Sequence, residues 1–144
     1  FQPGDMPARI REYCTNSKQT PPQDPGQVIR VCLEGLAMTY RLTLEQVEAC
    51  TKERVEVIHV VGGGTQNKLL CQMTADATGR KVVAGPVEAT AIGNIAVQAV
   101  ATRLLPDIWA ARELVRRSFD VVNYEPQNTA AWNAPYKRFV ELRG

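Results

Sequence analysis

The sequence has a single histidine, His59, and none of its four cysteines forms a Cys-x-x-Cys pair. A zinc site of the usual kind needs several thiolate or imidazole ligands at close spacing, so none is expected. No apolar run approaches the roughly 20 residues of a membrane span. The basic, apolar and small-residue zones of a secretion signal are missing as well. Charge of one sign is also lacking. Seventeen Lys and Arg against fifteen Asp and Glu leave a net +2, too little to argue for nucleic acid or an anionic membrane as partner. There is no initiator methionine. The chain opens Phe1-Gln2-Pro3-Gly4-Asp5, and we expect a piece of a longer protein.

What is present suits one globular domain. The chain has 144 residues, 44% apolar and 22% charged, enough to bury a sizeable core. The cysteines are Cys14, Cys32, Cys50 and Cys71. Cys32 and Cys50 fall on one expected helix, about 27 Å apart, and cannot bridge each other. Four reduced, mostly buried thiols fit a cytoplasmic protein.

Hydrophobic periodicity gives the order of elements. Asp5 caps a short helix over Met6 to Ser17. Asp24-Pro25 starts a long one, reaching about Cys50, whose apolar stripe is expected to cover a sheet. Val55 to Val61 reads as a strand, apolar at nearly every position and so expected to be buried on both faces. His59 inside it is expected to be structural. A helix over Thr65 to Thr78 follows, with Leu69, Leu70, Met73 and Ala77 on one face and Gly79 as its stop. Lys81 to Ala84 is a second strand, which makes a parallel βαβ unit. Glu88 to Thr102 forms a small-residue helix, and Asp107 caps another over Ile108 to Arg117. Phe119 to Pro126 is extended. Asn128 to Leu142 forms a last helix anchored by Trp132, Tyr136, Phe139 and Val140, despite Pro135. The basic residues are spread over helix surfaces, as on a solvated face.

The first strand stops at Gly62-Gly63-Gly64, and a helical pattern begins just beyond. Glycines allow φ > 0 and close approach of a ligand to the backbone. A helix start offers unpaired N–H donors and a positive dipole end. The stretch therefore reads as a nucleotide site. A Walker A string does not occur. Gly62 to Asn67 gives Gly-x-Gly-x-x-Asn rather than the dinucleotide fingerprint, and no acidic residue ends the second strand. A plain glycine turn after a buried strand stays open on these grounds.

A longer pattern narrows the choice. It comprises His59-Val60-Val61-Gly62-Gly63-Gly64-Thr65-Gln66-Asn67, then Thr74-Ala75-Asp76-Ala77-Thr78-Gly79, then Ala84-Gly85-Pro86-Val87-Glu88-Ala89-Thr90 with Gly93-Asn94. It resembles the carboxy-terminal part of the FGGY carbohydrate kinases, over nearly the whole chain. The resemblance implies an α/β fold: part of a ribonuclease H-like, actin/hexokinase-type ATPase domain with short parallel strands packed by helices. Residues 1–144 would be the carboxy-terminal ATP-binding domain, incomplete on its amino-terminal side. It implies ATP and Mg²⁺ as cofactors and a ketose as substrate, in carbohydrate metabolism. The finer pattern points to the 1-hydroxyl of L-rhamnulose as acceptor. Another family member acting on xylulose, glycerol or a related polyol is the first alternative. A non-catalytic nucleotide-binding or interaction module is the second.

The resemblance also implies roles for residues. Gly63 would approach the nucleotide through its backbone, Gly62 and Gly64 would shape the turn, and the Asn67 side chain would contact the adenosine end. The first helix would contribute a contact, ordinarily from a glutamine, where this chain has Arg11. Glu88 and Asp76 would be structural. The catalytic aspartate would lie upstream of Phe1, so no catalytic residue and no metal ligand is assigned within the chain. The fragment alone would be inactive.

Overall fold

A computed structural model describes residues 4–143, so the expectations on Phe1, Gln2 and Pro3 lie outside the described residues. The element order is α1 (Met6–Asn16), α2 (Pro25–Thr51), β1 (Val57–Val60), a 3₁₀ turn (Gly62–Gln66), α3 (Lys68–Thr78), β2 (Lys81–Ala84), α4 (Ala89–Ala101), α5 (Ile108–Ser118), β3 (Val122–Tyr124) and α6 (Ala130–Arg143). The sheet runs β1-β2-β3. β1 and β2 are parallel, with Ile58 opposite Val82, and β3 returns antiparallel to β2.

Three aspartates start helices as their spacing requires. Asp5, Asp24 and Asp107 each accept a hydrogen bond from the backbone N–H three residues on, at 3.1, 2.9 and 2.8 Å. Each cap is worth about 1 kcal/mol. Pro25 sits in the first turn of α2, where its missing N–H costs nothing. Gly79 ends α3 in the left-handed conformation, at φ +64°.

The core lies on the two sides of α3. Cys71 and Ala75 pack on Val82 and Ala84 of β2, with Ile58, Val60 and Tyr124 closing around them. On the opposite side Met73 and Ala77 meet Ala37 of α2, supported by Leu33, Leu70 and Trp132. Small residues at the contact let the helices approach closely. The stripe of α2 therefore packs on α3 and not on the sheet, contrary to expectation. Leu69, expected on the buried face of α3, is 48% exposed. The helix buries Cys71, Thr74, Ala75 and Thr78 instead, because it has neighbours on two sides.

Other expectations also need correction. β1 covers four residues and buries one face only. Ile58 and Val60 turn to the core, while Val57 and Val61 are exposed. No described element packs closely on the second face, so an all-apolar strand does not imply two covered faces here. Cys14 and Cys71 are buried as expected, but Cys32 and Cys50 lie exposed on α2. Val140 is exposed, whereas Tyr136 is buried and anchors α6. Its hydroxyl donates to Glu45 on α2 at 2.5 Å, and burial together with that carboxylate pushes its pKa up to about 12. α4 has no charged residue and none that is buried. It packs mainly against α5.

One cluster was not signalled by any motif. Arg80, which leads into β2, reaches the carboxylate of Glu48 on α2 at 3.0 Å and donates from Nε to the Val55 carbonyl at 2.7 Å. Val55 N–H donates in turn to Glu48 at 2.9 Å. The three residues fasten the end of α2 to both parallel strands. The Val55 N–H, followed by the Arg80 guanidinium, holds the Glu48 carboxyl below its ordinary 4.5. A lowered carboxyl pKa supports the fold above pH 4.5, and that support is lost as pH falls through the lowered value. Glu48→Gln is expected to lower the midpoint of thermal unfolding at pH 7. The difference from the native protein should shrink as pH falls below 4.5, as measured by circular dichroism melts across pH.

Candidate nucleotide site

The glycines do not form a loose loop ahead of a helix. Gly62–Gln66 is itself a 3₁₀ turn, and α3 begins at Lys68, three residues later than the periodicity placed it. The difference comes from Asn67. Its Oδ1 accepts the N–H of Leu70 at 3.0 Å and makes Asn67 the N-cap of α3.

The turn is clamped on several sides. Gly62 N–H donates to the Pro86 carbonyl at 3.3 Å, and Gly85 N–H to the Val60 carbonyl at 2.9 Å, so the end of β2 braces the end of β1. The Thr65 hydroxyl donates to the Gly62 carbonyl at 2.8 Å. Asn67 N–H closes the turn on Gly64 O at 3.2 Å. The Cys71 thiol lies beneath at 3.9 Å from the same oxygen, and burial pushes its pKa up. This cysteine is a packing residue under the turn.

Each glycine meets a different demand. Gly62 sits at φ +76°, a region that costs a residue with a Cβ about 1–2 kcal/mol. A Cβ on Gly64 would make ordinary contact with Val60 Cγ1 at 3.7 Å, and one on Gly63 would meet nothing within 4 Å. Gly63 also carries the one turn amide with no acceptor among the described residues. The Gly62 amide is taken by Pro86, and from Gly64 onward the amides close the turn's own i→i+3 bonds. Gly63 therefore presents a free N–H and open space. Such a feature admits a polar ligand against the backbone.

Gly62, Gly63, Gly64 and Asn67 are thus brought together in one short segment. Asn67 is exposed, and with its oxygen committed to the cap its amide nitrogen is what it offers a ligand. Arg11 is not brought to them. Its Nε donates to the Pro22 carbonyl at 3.0 Å and ties α1 to the loop before α2. No cavity described here is lined by both Arg11 and the turn. A cavity of about 450 Å³ does adjoin Gly64; Tyr40, Leu44, Val47, Ile58 and Val60 are among its walls together with Thr43, Thr74 and His59, and no Asp, Glu, Lys or Arg lines it. Among the described residues no cluster of His, Cys, Asp or Glu could hold a metal ion.

Glu88 stands at the N-cap of α4 without a side-chain capping bond, and its charge faces the positive end of that helix. Asp76 has a clear structural role. Its Oδ1 accepts from the amides of Gln127 and Asn128 at 2.6 and 3.3 Å, fixing the entry to α6. Gly85 was not singled out from the sequence, yet a Cβ there would stand 3.0 Å from the Asp120 carbonyl.

The fold is a mixed α/β domain with a parallel βαβ unit and a braced glycine turn at its strand–helix junction. The chain belongs to the FGGY family of carbohydrate kinases, whose C-terminal domain model matches residues 1–102. It is similar to the rhamnulokinase of Bacteroides thetaiotaomicron, with 46% identity over 95% of this chain and 28% of that protein. The rhamnulokinase of Enterococcus faecalis is 41% identical over 87% of this chain and 26% of its own length. That of Bacillus subtilis is 36% identical over 89% and 26%. The chain therefore spans between a quarter and a third of the curated relatives it matches.

The glycines separate in a stability experiment. Gly62→Ala is expected to lower stability by about 1–2 kcal/mol. Gly63→Ala should leave the unfolding midpoint within experimental error, since its methyl enters open space. Urea unfolding of the two variants side by side reads the difference.

Proposed function

We propose that this chain is the ATP-binding carboxy-terminal part of a sugar kinase. The parent protein transfers the γ-phosphate of ATP to the 1-hydroxyl of L-rhamnulose. The observation that carries the reading is the open backbone at Gly63, in a chain of the FGGY family that is 46% identical to a rhamnulokinase. The Gly63 N–H meets the nucleotide, Gly62 and Gly64 hold the turn in shape, and the Asn67 amide donates to the adenosine end. Arg11, engaged with Pro22, is left out of the contact set.

The chain's own residues supply binding and orientation. Phosphoryl transfer depends on positioning and on neutralising charge around the phosphates, with Mg²⁺ as the usual counter-charge. The described residues hold no acidic cluster for a cation, so Mg²⁺ would arrive on the nucleotide's phosphates. No described residue is assigned as the base that takes the sugar proton. Base and sugar contacts belong to the preceding part of the parent, which works in the cytoplasm, and residues 1–144 alone are inactive.

Xylulose, glycerol or another polyol is the competing acceptor within the family. In the full-length protein Gly63→Val is expected to weaken ATP binding at least tenfold, by about 1.4 kcal/mol or more, with little loss of thermal stability. Asn67→Asp keeps the cap oxygen but removes the donor, so it should also weaken ATP binding. Calorimetric titration with ATP checks both. Wild-type affinity in both variants would sink the site assignment. In a coupled assay L-rhamnulose should exceed xylulose and glycerol in kcat/KM, and a reversal would reassign the substrate.

A further inference from the structure

A second cavity, of about 600 Å³, opens between α1, α2 and α6. That volume falls in the ordinary range of small-molecule sites. Ile10, Met38, Phe139 and Leu142 line it and are half-buried. Arg9, Arg138 and Arg143 line it too, and these are exposed. The depth of the cavity is therefore apolar and its mouth basic. Arginines that look scattered along the sequence meet at one opening once α1 and α6 lie side by side on α2.

The protein does not cancel this charge itself. Glu34 is the one carboxylate among the described lining residues, and the Arg30 guanidinium already holds it at 2.5 Å. Arg138 donates to the Ser17 carbonyl at 3.0 Å and stands 3.6 Å from Glu141. Arg9 and Arg143 have no ion pair among the described residues. The Arg143 guanidinium lies 5.6 Å from the centroid of the Phe139 ring, a cation set along an apolar wall. Gly35 adds an independent observation. It lines the cavity from the interior of α2, where glycine is costly relative to alanine. No neighbour requires it, since a Cβ there would meet nothing within 4 Å. What the missing side chain leaves is room inside the cavity.

We infer that this cavity binds a small amphipathic anion. Its apolar body lies among Ile10, Met38, Phe139 and Leu142, over the space left by Gly35, and its carboxylate or phosphate head meets Arg9 and Arg143. The planar fork of arginine suits either head. The site is separate from the glycine turn, none of whose residues lines it. It also depends on α6, which lies beyond residues 1–102 that the family model matches.

Calorimetric titration of the full-length parent tests this, with decanoate and decyl phosphate as probes below their micelle-forming concentrations. At least one of the two should bind at a single site with a Kd of about 100 μM or tighter, and more weakly as salt is raised. The tighter of the two identifies the head. Acetate and inorganic phosphate lack the apolar body and decyltrimethylammonium lacks the negative charge, so none of these should bind saturably. Arg9→Gln combined with Arg143→Gln should weaken binding about tenfold and leave the unfolding midpoint in place. Gly35→Leu puts a side chain into the cavity and should abolish binding, with a midpoint in circular dichroism melts equal to or above that of the native protein. The arginine pair is on the exposed surface and keeps the test independent of folding. Absence of saturable binding of both probes to the parent overturns the inference. So does equal affinity for decyltrimethylammonium, or native affinity in the arginine variant or in folded Gly35→Leu.

Discussion

The packing of α3 on two sides at once governs the rest of the molecule. Cys71 and Ala75 bury against the sheet while Met73 and Ala77 bury against α2. A helix squeezed in this way must be narrow, and apart from Met73 its buried positions are cysteine, alanine and threonine. Full burial of Val82 opposite it contributes roughly 2 kcal/mol, and Ala37 and Ala75, each 0% exposed, leave no room for a larger side chain. Because α3 cannot slide, the residue that caps it is fixed in space. Asn67 and the turn before it inherit their position from that packing.

The site draws its chemistry from backbone more than from side chains. One carbonyl of the turn is held by the Thr65 hydroxyl, one N–H by Pro86 and another by Gly64 O. What remains is a single N–H at Gly63, a residue whose missing Cβ would meet nothing within 4 Å. Such a donor needs no reorganisation when a ligand arrives, and an uncharged donor adds no electrostatic penalty when the site is empty. The Glu48–Arg80–Val55 cluster plays the matching part at the other end of the strands. It pins α2 across β1 and β2, so the glycine turn is braced from both ends of the βαβ unit.

The apolar surface is distributed unevenly. α4 carries Ile95 and Val97 in the open and has no charge along its length, and Trp109 on α5 is 68% exposed. Val61 at the end of β1 and Tyr40 and Val47 on α2 are exposed as well, in a chain that spans 28% of a relative such as the Bacteroides protein.

The sequence by itself determined the local events, because local chemistry decides them. Asp5, Asp24 and Asp107 name their helix starts, Gly79 names a stop, and Lys81 to Ala84 needs no more than its apolar run between glycines. The family pattern around Gly62 to Asn67 was equally legible, since it consists of consecutive residues. Tertiary structure decided what depends on distant neighbours. Leu69 is exposed because α3 has two partners rather than one. β1 shows one bare face because no described element packs closely on it. Arg11 donates to the Pro22 carbonyl, a partner in the loop beyond its own helix. Asn67 became a helix cap because the glycines curled into a 3₁₀ turn, and Glu48 met Arg80, 32 residues along, only once the chain had folded. Periodicity records which side chains avoid water; which surface shelters them is settled by the rest of the fold.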